Sequence, residues 1–133
     1  MDRVVVDQKL ESLRRCVARV TAKRPDSVAA LVADVDAQDV MVLNLSRAVQ
    51  ICVDIAMHAL ATTDSAVPQT MGQAFELLAL KGLIDTALAE RLRRAVGFRN
   101  LAVHSYDTIN WALVFAVSGD QLDDFRAFAK AFS

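Results

Sequence analysis

The chain has 133 residues, 54% of them apolar and 23% charged, with a formal net charge of −1. This length and composition predict one globular domain over residues 1–133 and exclude a disordered chain. The balanced charge excludes a protein that grips nucleic acid through a broad basic surface, but it leaves room for a small local cationic site and for self-association.

With four Gly and two Pro, and only 6% aromatic residues, the chain favours long helices over many short strands. The first predicted helix runs from about Val4 to Ala22, where Val6, Leu10, Leu13, Val17 and Val20 recur at three- and four-residue steps. Its other faces carry Lys9, Arg14, Arg15 and Arg19. Arg24-Pro25-Asp26-Ser27 breaks it, and a short helix follows with Val28, Leu31, Val32 and Val35 as its apolar stripe. Asp36-Ala37-Gln38-Asp39 is expected to be a turn or kink with Asp36 as an N-cap.

A long third helix, about Ala37 to Ala61, stops at Thr62-Thr63-Asp64-Ser65, ahead of Pro68. Its apolar stretch from Val40 to Ala61 carries Arg47 and Asp54, which a bilayer span would make costly, so it reads as a helix of a soluble protein. Thr70 or its neighbours start a fourth helix with Met71, Phe75 and Leu78 inward. Lys81-Gly82 ends it, Gly82 supplying a left-handed residue. Asp85 caps a fifth helix through Leu88, Leu92, Ala95 and Val96, with a stop at Ser105 to Asp107. Two short helices are expected last: Trp111 to Val117 capped by Asn110, then a second opened by the capping-box spacing Ser118-Gly119-Asp120-Gln121. The fold class is therefore all-α, a bundle of four main helices with short additions.

Cys16 and Cys52 sit in apolar helical patterns without C-x-x-C spacing and read as buried thiols in a reducing cytosol. Met1-Asp2-Arg3-Val4 lacks the organisation of a secretion signal, so the expected location is cytoplasmic.

The third helix carries a polar strip, Asn44, Arg47, Gln50, Asp54 and His58, covering roughly a third of its circumference. It reads either as a solvent-facing strip with an Asp54–His58 pair, or as the wall of a functional cleft or subunit contact lined by Gln50, Asp54 and His58. No H-E-x-x-H or Cys/His cluster accompanies it, so no metal is expected.

The segment Arg99-Asn100-Leu101-Ala102-Val103-His104-Ser105-Tyr106 puts a guanidinium, an imidazole and the only tyrosine within eight residues. A fixed cation binds a phosphate, and an imidazole near its ordinary pKa of about 6.5 carries protons at neutral pH. On a continuous helix Asn100 and His104 share a face. Arg99 and His104 are five residues apart and diverge by about 140°. They meet at one phosphate only if the helix loosens near His104 or a second copy contributes. A symmetric homodimer brings two copies together.

Gly97 through Asp107 resembles the Arg-x4-His-x-Tyr motif of the HepT family of toxins, within the HEPN superfamily. The resemblance extends over nearly the whole chain: Asp39 to Gln50 and Asp54-Ile55-Ala56 are similar to that family's long central helix, and Phe75 to Ala79 with Gly82-Leu83-Ile84 to its next section. Family members often carry Glu where this chain has Ser105. That position is variable within the motif, and a change in tuning is expected there.

The resemblance implies a HEPN-like fold and a metal-independent endoribonuclease that needs no cofactor. It implies a cognate antitoxin, a small nucleotidyltransferase of the MntA type. In this scheme Arg99 holds the phosphate, His104 is the general base or acid, and Asn100 orients His104 or bonds a phosphate oxygen. Tyr106 is the residue on which the antitoxin places AMP. Two alternatives from other classes are a non-catalytic helical partner that binds a nucleotide or presents substrate to the nucleotidyltransferase, and a purely structural dimerisation module.

Overall fold

The computed structural model describes residues 1–133 as six α-helices without strands: α1 (Arg3–Lys23), α2 (Val28–Val32), α3 (Val35–Ala61), α4 (Met71–Leu80), α5 (Thr86–His104) and α6 (Trp111–Ala131). A one-turn 3-10 helix, Tyr106–Thr108, joins α5 to α6. The all-α architecture is the one expected. Every α-helix starts on a side-chain cap: Asp2, Ser27, Asp34, Thr70, Asp85 and Asn110 each accept a hydrogen bond from a backbone N–H of the first turn. Each such cap stabilises its helix by about 1 kcal/mol.

α3 is the centre of the bundle, packed most extensively against α1 and also touching α2, α4, α5 and α6. By length and hydropathy it would suffice to cross a bilayer, but 56% of its apolar stretch is buried inside the fold. Met41, Leu45, Cys52, Ile55 and Ala56 are fully enclosed there, in one continuous cluster of 32 buried residues. Phe75 of α4 meets Phe128 of α6 edge to face, with ring centroids 6.0 Å apart, and Phe128 packs against Phe132 at 4.8 Å. Edge-on aromatic pairs add about 0.5–1.5 kcal/mol beyond the area they bury. Cys16 and Cys52 are buried free thiols, and burial pushes both up from the ordinary thiol range.

Two local expectations need correction. α3 begins before Asp36, not after it. The Asp34 carboxylate accepts from the Ala37 N–H at 3.0 Å and is the true N-cap, leaving Asp36 in the first turn and no kink at Asp39. Buried Gln38 then donates to the carbonyls of Leu31 and Val32 at 2.9 and 3.1 Å, which satisfies the open end of α2.

The second correction concerns the last segment, which is one unbroken helix rather than two short ones. Ser118 lies in its middle, fully buried. Its hydroxyl donates to the Phe115 carbonyl at 2.9 Å and accepts from Arg24 Nε at 2.8 Å. Arg24 also donates to Phe115 O at 2.9 Å and lies 4.0 Å over the Phe115 ring. This arginine, arriving from the end of α1, occupies the hydroxyl that a capping box would have used. α6 therefore replaces α4 among the four long helices, and α4 is one of the shorter ones.

The end of α4 is as expected. Gly82 has φ +72°, its N–H bonds to Ala79 O, and the Leu83 N–H bonds to Leu78 O, both at 3.0 Å. The paired bonds form a Schellman motif, which turns the chain sharply into α5.

Candidate active site

The Arg-x4-His-x-Tyr segment occupies the last turns of α5 and the 3-10 turn after it. α5 keeps its helical geometry through His104, and the Ser105 N–H still bonds to Leu101 O at 2.8 Å. The helix therefore does not loosen, and Arg99 and His104 leave it about 140° apart. His104 and Asn100 are both exposed, one turn apart on one face. Arg99 is half-buried. Its Nη1 donates to the Asn100 Oδ1 at 3.2 Å, while its Nε is buried without a partner. The guanidinium thus leans toward the Asn100–His104 face and keeps spare donor capacity. Its Nη2 makes no hydrogen bond within the chain, which leaves that donor for an anion.

The chain turns at Ser105, so Tyr106 leaves the line of α5. Its ring lies edge-on to Trp111, with centroids 6.0 Å apart. Its hydroxyl donates to the carboxylate of Asp39, in the second turn of α3. Burial, and next the hydrogen bond to Asp39 and its negative charge, push the phenol up to about 12. The hydroxyl is therefore neutral at physiological pH and attached to a carboxylate that can accept its proton.

The polar strip on α3 faces α1 for most of its length. Asp54 is held by Gln50 Nε2 at 3.0 Å and by Lys9 Nζ at 3.4 Å. His58 Nε2 accepts from the Asp2 N–H at 3.1 Å. The expected Asp54–His58 pair is not formed, because each finds an α1 partner instead. Asn44 is buried, its amide donating to Val40 O at 2.8 Å. None of Gln50, Asp54 and His58 hydrogen-bonds to Arg99, His104 or Tyr106. Gln50 does line an open groove of about 890 Å³ between α1 and α3, and Asp39, the acceptor for Tyr106, lines the same groove.

Asp39 contacts the candidate site and was not singled out from the sequence. It lies 67 positions from Tyr106, and nothing local to it distinguishes it from a turn aspartate. No group of three or more His, Cys, Asp or Glu side chains is placed to hold a metal. The chemistry available at the end of α5 is therefore that of a cation, an imidazole and an amide.

A family model described as ribonuclease HepT-like matches residues 7–132. The chain is 34% identical over 124 residues to the mRNA nuclease HepT of Shewanella oneidensis, covering 93% of this chain and 92% of that protein. Among solved structures it resembles the tri-AMPylated Shewanella oneidensis HEPN toxin in complex with MNT antitoxin. The TM-score is 0.89 at 33% identity, over 98% of this chain and 96% of that one. A toxin–antitoxin structure with AMP-PNP gives the same TM-score of 0.89 at 31% identity, over 100% of this chain and 99% of that one. With nearly every residue matched by the family model and a relative above 30% identity along its length, the chain belongs to the HepT-like ribonuclease family.

Proposed function

We propose that this protein is the toxin of a toxin–antitoxin pair, a single HepT-like domain over residues 1–133 that works in the cytoplasm as a symmetric homodimer. It is an endoribonuclease that cleaves RNA without a metal. The observation that carries this reading is the exposed His104 at the end of an intact α5, five residues on from a half-buried Arg99 whose guanidinium is bonded only to Asn100.

The reaction uses only groups at that end. The RNA 2′-OH loses its proton to a base and attacks the adjacent phosphorus. The P–O5′ bond breaks, the 5′ oxygen takes up a proton, and the products are a 2′,3′-cyclic phosphate and a 5′-OH. His104 moves the proton in this step. Arg99 binds the phosphate oxygens and stabilises the charge that builds on them in the transition state. Asn100 holds the Arg99 guanidinium and presents its amide to the His104 face. Because Arg99 and His104 diverge on one helix, the second subunit supplies the missing half of each set.

Silencing acts on Tyr106. A cognate nucleotidyltransferase of the MntA type transfers AMP from ATP: the phenol oxygen bonds to the α-phosphorus, pyrophosphate leaves, and the phenol proton passes to an acceptor. The Asp39 carboxylate is already hydrogen-bonded to that hydroxyl. An attached adenylate brings negative charge and bulk next to the phosphate site and competes with RNA.

The test is cleavage of RNA by purified protein in EDTA. The wild type is expected to cut, and His104→Ala to lose about 10²–10⁴-fold in rate, the range that general acid–base groups contribute. Cleavage that disappears on chelation, or that His104→Ala leaves intact, contradicts the proposal.

A further inference from the structure

We infer that the groove between α1 and α3 is a binding track for a phosphodiester chain that starts at the Tyr106 hydroxyl. The inference rests on the nuclease reading above and assigns to it a site outside the Arg-x4-His-x-Tyr segment.

The groove is open and holds about 890 Å³. Three of the residues that line it are arginines: Arg15 and Arg19 from α1 and Arg47 from α3. Arg15 and Arg19 are one helical turn apart, so they present to the same side. Arg19 and Arg47 make no ion pair or hydrogen bond, and Arg15 reaches Glu11 only at 4.0 Å. Asp39 is the only acidic side chain in the lining, and Tyr106 already occupies it. In a chain with a net charge of −1, this is a local excess of positive charge in which only Arg15 has an internal partner, at long range.

The shape matches the charge. Along α3 the lining runs from Asp39 to Gln50 and Ile51, about 16–18 Å at the helical rise. That length accommodates several successive phosphates. Between the arginines the floor is apolar, and Leu43 in it is 49% exposed. The guanidinium groups suit the phosphates of a single strand, and the apolar floor offers its bases van der Waals contact without an aromatic platform. The Asp39–Tyr106 hydrogen bond puts the modifiable hydroxyl at one end of this track.

Two sources of the same chemistry reach it: a strand of substrate RNA, or a chain of adenylates growing from Tyr106. The test uses full-length protein in a His104→Ala background. Fluorescence anisotropy follows a short fluorescein-labelled single-stranded RNA across a salt series. Arg19→Glu with Arg47→Glu is expected to weaken binding at least tenfold and to flatten the salt dependence by roughly 1.4 in log–log slope, two phosphate contacts on a single strand. Arg126→Glu on α6, which is not among the residues lining the groove, serves as the charge control and is expected to change little. Arg19→Gln with Arg47→Gln guards against a folding defect and is expected to give a smaller loss in the same direction.

The same titration on Tyr106-adenylated protein separates the sources. If the attached chain fills the track, RNA binding is weak and no longer depends on Arg19 and Arg47. If the arginine dependence persists, the track serves the substrate strand alone. Either result supports the site. Unchanged RNA affinity in the unmodified double variants overturns it. Unchanged affinity accompanied by loss of the dimer in sedimentation likewise overturns it and makes the groove a subunit contact. His104→Ala protein that still cleaves the RNA refutes the nuclease mechanism but leaves this binding measurement readable.

Discussion

The Tyr106 hydroxyl donates a hydrogen bond to the Asp39 carboxylate, joining the turn after α5 to the N-terminal part of α3 across 67 positions of sequence. It couples the end of the candidate active site to the central helix of the bundle and fixes where the phenol oxygen points. Burial and this bond together favour the neutral phenol in the folded state.

The folded-state value is raised, to about 12, from an unfolded value of about 10. The stabilisation is therefore fully present below about pH 10 and is lost as pH rises through about 12. Tyr106 is the only tyrosine, so the phenolate absorbance of the folded protein reads it alone. The expected titration midpoint lies well above 10, and Asp39→Asn lowers it. A folded wild type that ionises near pH 10 contradicts this account.

Tyr106→Phe removes the oxygen and keeps the ring against Trp111. RNA cleavage is expected to stay within about twofold of wild type, since the phenol is not among the groups assigned to the chemistry. Transfer of labelled AMP from ATP by the cognate nucleotidyltransferase is expected to vanish. Label that persists in the variant places the modification elsewhere.

Arg24→Ala removes two hydrogen bonds and a guanidinium lying on an aromatic face, all directed at the middle of α6. The expected cost is about 1–3 kcal/mol, read as a lower denaturant midpoint, because buried Ser118 loses its charged donor. A shift under about 0.5 kcal/mol, the size of an ordinary surface substitution, would mean that α6 does not depend on this anchor.

Gly82→Ala isolates backbone strain, since no atom lies within 4 Å of the added methyl. The residue has φ +72°, and a side chain there costs roughly 1–2 kcal/mol. Thermal or urea unfolding checks it. A neutral effect would show that the turn between α4 and α5 relaxes freely.

Much of this fold was readable because its signals are local. Thr70, Asp85 and Asn110 stand directly before their helices, and Gly82 directly after one. The features misread were those decided at a distance. Ser118 has the spacing of a helix start, but Arg24, 94 positions away, claims its hydroxyl and the helix runs on. Asp34 and Asp36 are equally good caps in isolation, and the choice follows from how Gln38 closes the end of α2.

The candidate site divides in the same way. Arg99, Asn100, His104 and Tyr106 could be singled out as candidates because they are contiguous. Asp39 was not singled out, and the arginines of the groove stood out only as polar faces of two separate helices, because helix packing alone brings them together. Lys9, Arg14, Arg15 and Arg19 were the local hint of a cationic face on α1.

The geometry of α5 points to one decisive measurement. Arg99→Ala and His104→Ala proteins are each expected to be inactive. They are mixed under conditions that exchange subunits, and cleavage of RNA is measured in EDTA. If guanidinium and imidazole meet across the subunit boundary, each mixed dimer holds one intact set, and a substantial fraction of wild-type activity returns. A mixture that exchanges subunits yet stays as inactive as its components would contradict a site shared between two chains.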